Sequence, residues 1–427
     1  MKALRLLLFI LMAASGTIVY VTLHAQAQVF VPVKPEAAGF SAERLKRIDN
    51  MVTDLISRQE IPGAVILIVR NGKIVYHQAY GYSDVETKKA MQKDHIFRIA
   101  SQTKAITSLA VMMLWEEGKF LLDEPVSKYI PEFKNPKVLK TFNPSDSTYT
   151  AEPANKEITI RHLLTHTAGI DYAAIGSKEF KAIYAKAGVP SGIGNDKDVL
   201  ADKMKILGSL PLKHAPGERW TYGLNTDVLG YLVEIWSGMP FDQFLRKRIF
   251  EPLGMSDTWF YLPPEKHARL VPLYSGKDGK LAKVTSQAYD NVNPDYPKLD
   301  GKYFSGGAGL SSTVEDYAKF LQLFLNYGQH NNGRLLSRKT VELMLTNQIP
   351  TLSASPFGLG FGLETTSNDH TSVVSLGTFS WGGAFNTHYW ADPKEKLIGL
   401  IFTNIYETAH WSIGEKFKVL TYQAIND

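Results

Sequence analysis

Two strand pairs, one near each end of the chain, constrain the fold more than any other feature. Near the start, "AVILIVR" and "KIVYHQAYGY" are separated by Asn71-Gly72 alone. That dipeptide between two apolar runs is the strongest short signal for a two-residue hairpin, because both turn positions need positive φ. Near the end, "SVVSLGTF", "NTHYWADP" and "KLIGLIFTN" form a second strand series, with Asp392-Pro393 at a turn. These runs can be buried only by pairing and by covering helices. Ser41 to Ser57 supplies one such helix, with Ser41 as cap and Leu45, Ile48, Met51, Val52, Leu55 and Ile56 at helical spacing. A last helix is expected from about Ile413 to Ala424. The stretch between the two ends has other habits: helix signals, turn residues, and polar loops such as "NPSDSTYTAEPANKE". The expectation is therefore an α/β (α+β) architecture. Both chain ends (about 36–118 and 301–425) form an antiparallel sheet flanked by helices, and a mainly helical lobe (about 119–300) is inserted between them.

The first residues read as an export signal. Lys2 and Arg5 precede an uncharged, mostly apolar stretch from Leu6 to Leu23. Ala25-Gln26-Ala27 offers a small-x-small cleavage site, which makes residues 1–27 a signal peptide and Gln28 the mature start. An uncleaved anchor is the alternative. The chain contains no cysteine, which excludes disulfides, thiolate metal ligands and a cysteine nucleophile. An exported chain without disulfides fits a bacterial periplasm or exterior. The net charge of +5 is spread over 427 residues without a long basic run, so nucleic acid is not an expected partner.

In "FRIASQTKAITSLA", Ser101 is the one serine of the chain with lysine three places on. On a helix those positions share a face, so the amine can reach the hydroxyl. A serine hydroxyl needs a base to act as a nucleophile. Lysine serves if burial and a helix N-terminus hold its pKa down. The same helix start aims backbone N–H groups near Ser101, which amounts to half an oxyanion hole. The competing structural reading is a capping serine followed by a solvated lysine.

Two further stretches, "HAPGERWTYGLNTDVLGYLVEIWSG" and "FSWGGAFNTHYWADP", stand beside Ser101-x-x-Lys104. Together they resemble the three signature elements of the serine β-lactamase and penicillin-binding-protein superfamily, most closely its class C β-lactamase and family VIII carboxylesterase branch. "ITIRHLLTHTAGI", "RIFEPLGMSDTWF", "GGAGLSSTVEDYAKF" and "FGLGFGLE" fall in matching order, so the likeness runs from about residue 40 to 424. The resemblance implies a β-lactamase/transpeptidase-like fold, an acyl-enzyme on Ser101, and no cofactor. It makes Lys104 the activating lysine and Tyr222 the residue that moves protons. It assigns the oxyanion to the backbone N–H groups of Ser101 and Ala384.

Two departures bear on substrate. Where β-lactamases have Lys-Thr-Gly, this chain has Trp381-Gly382-Gly383, the form seen in many family VIII esterases. A neutral indole cannot replace a cation facing a carboxylate, although it keeps apolar surface and one N–H donor. Where the second element usually reads Tyr-x-Asn, position 224 is Leu, with Asn225 one place later. Trp381, Gly382, Gly383, Leu224 and Asn225 are thus the expected substrate contacts. Both departures favour short-chain esters over β-lactams or D-amino-acid peptides. A slowly acylated penicillin-binding-like receptor is the alternative outside catalysis.

Other chemistries find little support. His162 and His166 are four apart in "HLLTH", but Leu163 stands where a zinc protease needs Glu and no third ligand is evident, so no metal is expected. No serine sits in Gly-x-Ser-x-Gly, which excludes an α/β-hydrolase elbow. "GLGFG" lacks a phosphate-binding lysine and a βαβ context.

Overall fold

The computed structural model describes residues 30–286, 292–331, 333–353 and 355–427. The expected signal segment, residues 1–27, lies outside them. One mostly antiparallel sheet unites the two chain ends. Its strand order is Val31–Pro32, Lys73–Asp84, Gly63–Arg70, Leu397–Phe402, Thr387–Asp392, Phe379–Gly383 and Gly362–Leu363, with Lys89–Ala90 paired on the Lys73–Asp84 strand. The Asn71-Gly72 turn forms as expected, with φ of 53° and 71° at its two residues.

The central strands are buried on both faces, so the pleat sends alternate residues into two different cores. On the Gly63–Arg70 strand, Val65, Leu67 and Val69 face the main core, while Ala64, Ile66 and Ile68 face a smaller one. The smaller core is closed by the helices Ala42–Ser57 and Ile413–Tyr422. Ser41 caps the first of these, accepting from the Arg44 N–H at 3.2 Å. The main core is closed by the helices Thr103–Glu116, Asn225–Ser237 and Val314–Leu325. Thr103 to Leu114 is buried at every position, so this helix passes through the interior and has no solvent face.

Four local expectations change. Ser101 does not cap the helix: it sits in a 3-10 turn, Ala100–Gln102, and the α-helix starts at Thr103 without a side-chain cap. The hydroxyl is thereby left for other partners. The polar stretch around 137–153 is a hairpin, Lys137–Asn143 with Thr148–Pro153, held by cross-strand pairing that its polar composition hides. Most of "SVVSLGTF" is not strand, because pairing begins only at Phe379. Finally, "HLLTH" is a helix only from Ile160 to Leu164, and His166 lies past its end at φ 56°, so the i, i+4 geometry is not formed.

Candidate active site

Ala100, directly before the candidate nucleophile, has φ 42°, a region a residue with a Cβ seldom adopts. Ala100 is fully buried, so the surrounding packing holds this turn. From it, Ser101 reaches a cavity of about 360 Å³. Lys104, only 3% exposed, rises from the first turn of the helix beneath. Its Nζ lies 3.3 Å from Ser101 Oγ, 2.9 Å from the Tyr172 hydroxyl and 2.7 Å from the Gly307 carbonyl oxygen. A carbonyl can only accept, so one N–H is committed to Gly307. Donating a second to Tyr172 leaves the third direction of the amine for Ser101. There a neutral amine offers a lone pair and an ammonium offers a proton.

Tyr222 closes the site from the far side. Its ring centroid is 4.6 Å from Lys104 Nζ, and the ring packs against His166, Tyr172, Trp220 and Trp381. Two close approaches fix the loop that carries it. The Thr221 N–H donates to the His166 carbonyl at 2.8 Å, and a Cβ at Gly223 would stand 2.0 Å from the Ile170 carbonyl oxygen. The third wall is the strand Phe379–Gly383. Trp381, Gly382, Gly383 and the following Ala384 all line the cavity.

The structure thus brings Ser101, Lys104, Tyr222 and the 381–384 segment together. It does not bring Leu224 and Asn225 to the cavity wall. Both are fully buried at the start of the Asn225–Ser237 helix, and the Asn225 amide lies 3.0 Å from His166 Nδ1. Burial, reinforced by the charge of Lys104, drives the His166 pKa far down, so its ring is a neutral acceptor for Asn225. The one-residue shift from Tyr-x-Asn therefore turns this asparagine inward.

Several site residues escape a sequence reading. The Tyr172 hydroxyl holds Lys104, and Ile175 and Ile193 add apolar wall from the inserted lobe. Trp411 contributes from the loop before the last helix. Beneath them lies Asp227, fully buried. Burial pushes its carboxyl up to about 6, while the Ser305 hydroxyl, Lys104 and the Gly307 N–H pull the other way. Neither carboxylate oxygen completes a hydrogen bond of full geometry. "NTD" lies inside one stretch that stands out in the sequence and "GIDY" overlaps the end of another, but nothing in one sequence places these side chains beside Lys104. Among the described residues, no group of three or more His, Cys, Asp or Glu could hold a metal ion.

The family model described as Beta-lactamase matches residues 48–416. Esterase EstB of Burkholderia gladioli is 30% identical over 387 residues, covering 87% of this chain and 93% of that protein. ML-236A carboxylate methylbutanoyltransferase of Penicillium citrinum is 30% identical over 438 residues, covering 92% and 98%. Among solved structures, EstCE1, described as a hydrolase with promiscuous acyltransferase activity, superposes with a TM-score of 0.77 at 25% identity, covering 89% of this chain and 99% of that one. The family match over most of the chain, with relatives that are esterases and acyltransferases, places this chain in the β-lactamase family, as an enzyme of the serine-hydrolase type.

Proposed function

We propose that this protein is a carboxylesterase for short-chain esters, working through an acyl-enzyme on Ser101. The observation that carries this reading is the cavity wall. Tyr, Trp, Ile, Ala, Ser and Gly line it, and no charged side chain does. With Trp381 in place of a lysine, a β-lactam carboxylate meets no cation there, whereas a short acyl chain meets the apolar surface of Ile175, Ile193 and Trp411.

In the proposed reaction, Ser101 Oγ forms a bond to the ester carbonyl carbon as its proton passes to the Lys104–Tyr222 pair. The N–H groups of Ser101 and Ala384 hold the oxyanion. The C–O bond to the alcohol then breaks, and the same pair returns the proton to the departing alkoxide. A water molecule attacks the acyl carbon by the reverse relay, releasing the acid and restoring Ser101. No cofactor takes part. The chain acts in the periplasm or outside the cell, its first 27 residues serving as a cleaved export signal.

A second reading is acyl transfer to an alcohol in place of water, favoured by the similarity to the methylbutanoyltransferase. The experiment that separates the readings is parallel turnover of p-nitrophenyl butyrate, a chromogenic cephalosporin and a D-alanyl amide, each with and without an added alcohol. Ester hydrolysis should exceed the other two by orders of magnitude. Fast cephalosporin turnover with negligible ester hydrolysis would sink the proposal, and a stable adduct without turnover of any substrate would make the protein a receptor.

A further inference from the structure

A cavity of about 350 Å³, walled by residues of 242–261 and 300–304, shares no lining residue with the catalytic one. Phe250, Phe260 and Phe304 give it apolar surface, and Asp242 and Arg246 line it as well. An acid and an arginine four apart on a helix ordinarily meet, their Cβ atoms about 5–6 Å apart. Here they do not. Arg246 opens a π-helical turn, Arg246–Phe250, and lays its guanidinium on the Trp259 ring, 3.3 Å from the centroid. Such turns are rare and recur at functional sites. Arg246 Nη2 donates to the Thr258 carbonyl at 2.7 Å. Its Nε and Nη1 make no hydrogen bond, yet they are not sealed from water.

The Asp242 carboxylate faces only backbone N–H groups of its own turn, and it too stays open to water. Among the described residues neither group joins an ion pair, although each feels the other's charge. Partial burial leaves both charges under-compensated. It pushes the Asp242 carboxyl up and the Arg246 guanidinium down to about 10. Lys247 and Asp300, the other charged residues of the wall, are exposed and opposite in sign.

An anion alone would stand beside Asp242, and a cation alone beside Arg246. A sugar hydroxyl can hydrogen-bond both but neutralises neither. A zwitterion compensates both charges at once. We propose that this cavity binds an apolar α-amino acid, with its carboxylate on Arg246, its ammonium on Asp242 and its side chain against Phe250, Phe260 and Phe304. Arg246 donates to the carboxylate, the ammonium donates to Asp242, and the side chain leaves water for the phenylalanine surface.

The site lies apart from Ser101, so its test does not depend on the esterase reading. Isothermal titration calorimetry compares L-phenylalanine with 3-phenylpropionate and 2-phenylethylammonium, each of which keeps the ring and one charge. L-Phenylalanine should bind, and each single-charge analogue should bind at least about tenfold more weakly, the worth of one charge-assisted hydrogen bond. Asp242→Asn and Arg246→Gln should each weaken L-phenylalanine by at least the same factor. Circular dichroism checks that each variant is folded, and if one is not the other still decides. Absence of saturation by L-phenylalanine in the millimolar range overturns the proposal, as does wild-type affinity in the folded variants. Equal binding of 3-phenylpropionate also overturns it, since that would make a plain anion site. So does binding of maltotetraose in place of L-phenylalanine, lost in the same variants, since that would make a sugar site.

Discussion

Gly383 lies so close to Ile99 that a Cβ at position 383 would stand 2.3 Å from the Ile99 carbonyl oxygen. Ile99 belongs to the turn that presents Ser101, and Gly383 ends the strand that leads to Ala384. The turn that carries Ser101 and the strand that leads to Ala384 are therefore locked together by a glycine. Gly383→Ala must move one of them. A displacement near 1 Å at the reacting centre costs about 100-fold in rate. The variant should lose about that much kcat/KM for p-nitrophenyl butyrate while its far-UV circular dichroism stays native. Wild-type kinetics in a folded G383A protein would show that this contact does not set the site geometry.

Lys104 is held by Tyr172 and Gly307, so its reach to Ser101 is built into the fold and does not depend on a mobile side chain. Lys104→Met keeps the length and removes the proton carrier. Acylation of Ser101, followed by stopped-flow release of p-nitrophenol, should slow by about 10³-fold or more. A burst of wild-type rate would assign the base elsewhere.

Asp227 is fully buried and feels the charge of Lys104, so the expected role is to position that lysine. Burial raises its carboxyl to about 6, which means its charge beside Lys104 fades as the pH falls through that value. Wild-type kcat/KM should show an acid limb near pH 6. Asp227→Asn cannot titrate there and should abolish that limb, which a purely structural role would not do. An unmoved limb would remove Asp227 from the mechanism.

His95 is 4% exposed, and burial pushes its pKa down to about 4. A histidine whose folded pKa lies below the unfolded 6.5 binds its proton more readily in the unfolded chain. Stability tied to this group is therefore present above pH 6.5 and lost as the pH falls towards 4. His162 and His388, also pushed down to about 4, act in the same direction. Asp227 acts oppositely, since a raised carboxyl contributes at low pH and loses that contribution as the pH rises through about 6. His95→Asn should flatten the dependence of urea unfolding free energy between pH 7 and pH 4 by about 2 kcal/mol. An unchanged slope would mean that His95 is already charged in the fold.

What the sequence makes legible follows from how local each signal is. The Asn71-Gly72 hairpin and the Ser41 cap depend on neighbours two or three residues away, and both form as expected. The resemblance brought together Ser101, Lys104, Tyr222 and 381–384 because each lies in a short contiguous stretch. The 137–153 hairpin was hidden because its pairing, not its composition, makes it strand. The inward turn of Asn225 depends on His166, 59 residues away, and the support of Lys104 comes from Tyr172 and Gly307, 68 and 203 residues away. Contacts at such separations leave no periodicity in the chain.

The measurement closest to the central claim is intact-mass analysis after reaction with a fluorophosphonate. Wild type should gain one adduct, and peptide mapping should place it on Ser101, while Ser101→Ala should gain none. A Ser101→Ala protein that takes up label as wild type does would contradict the account, because the nucleophile would then be another residue.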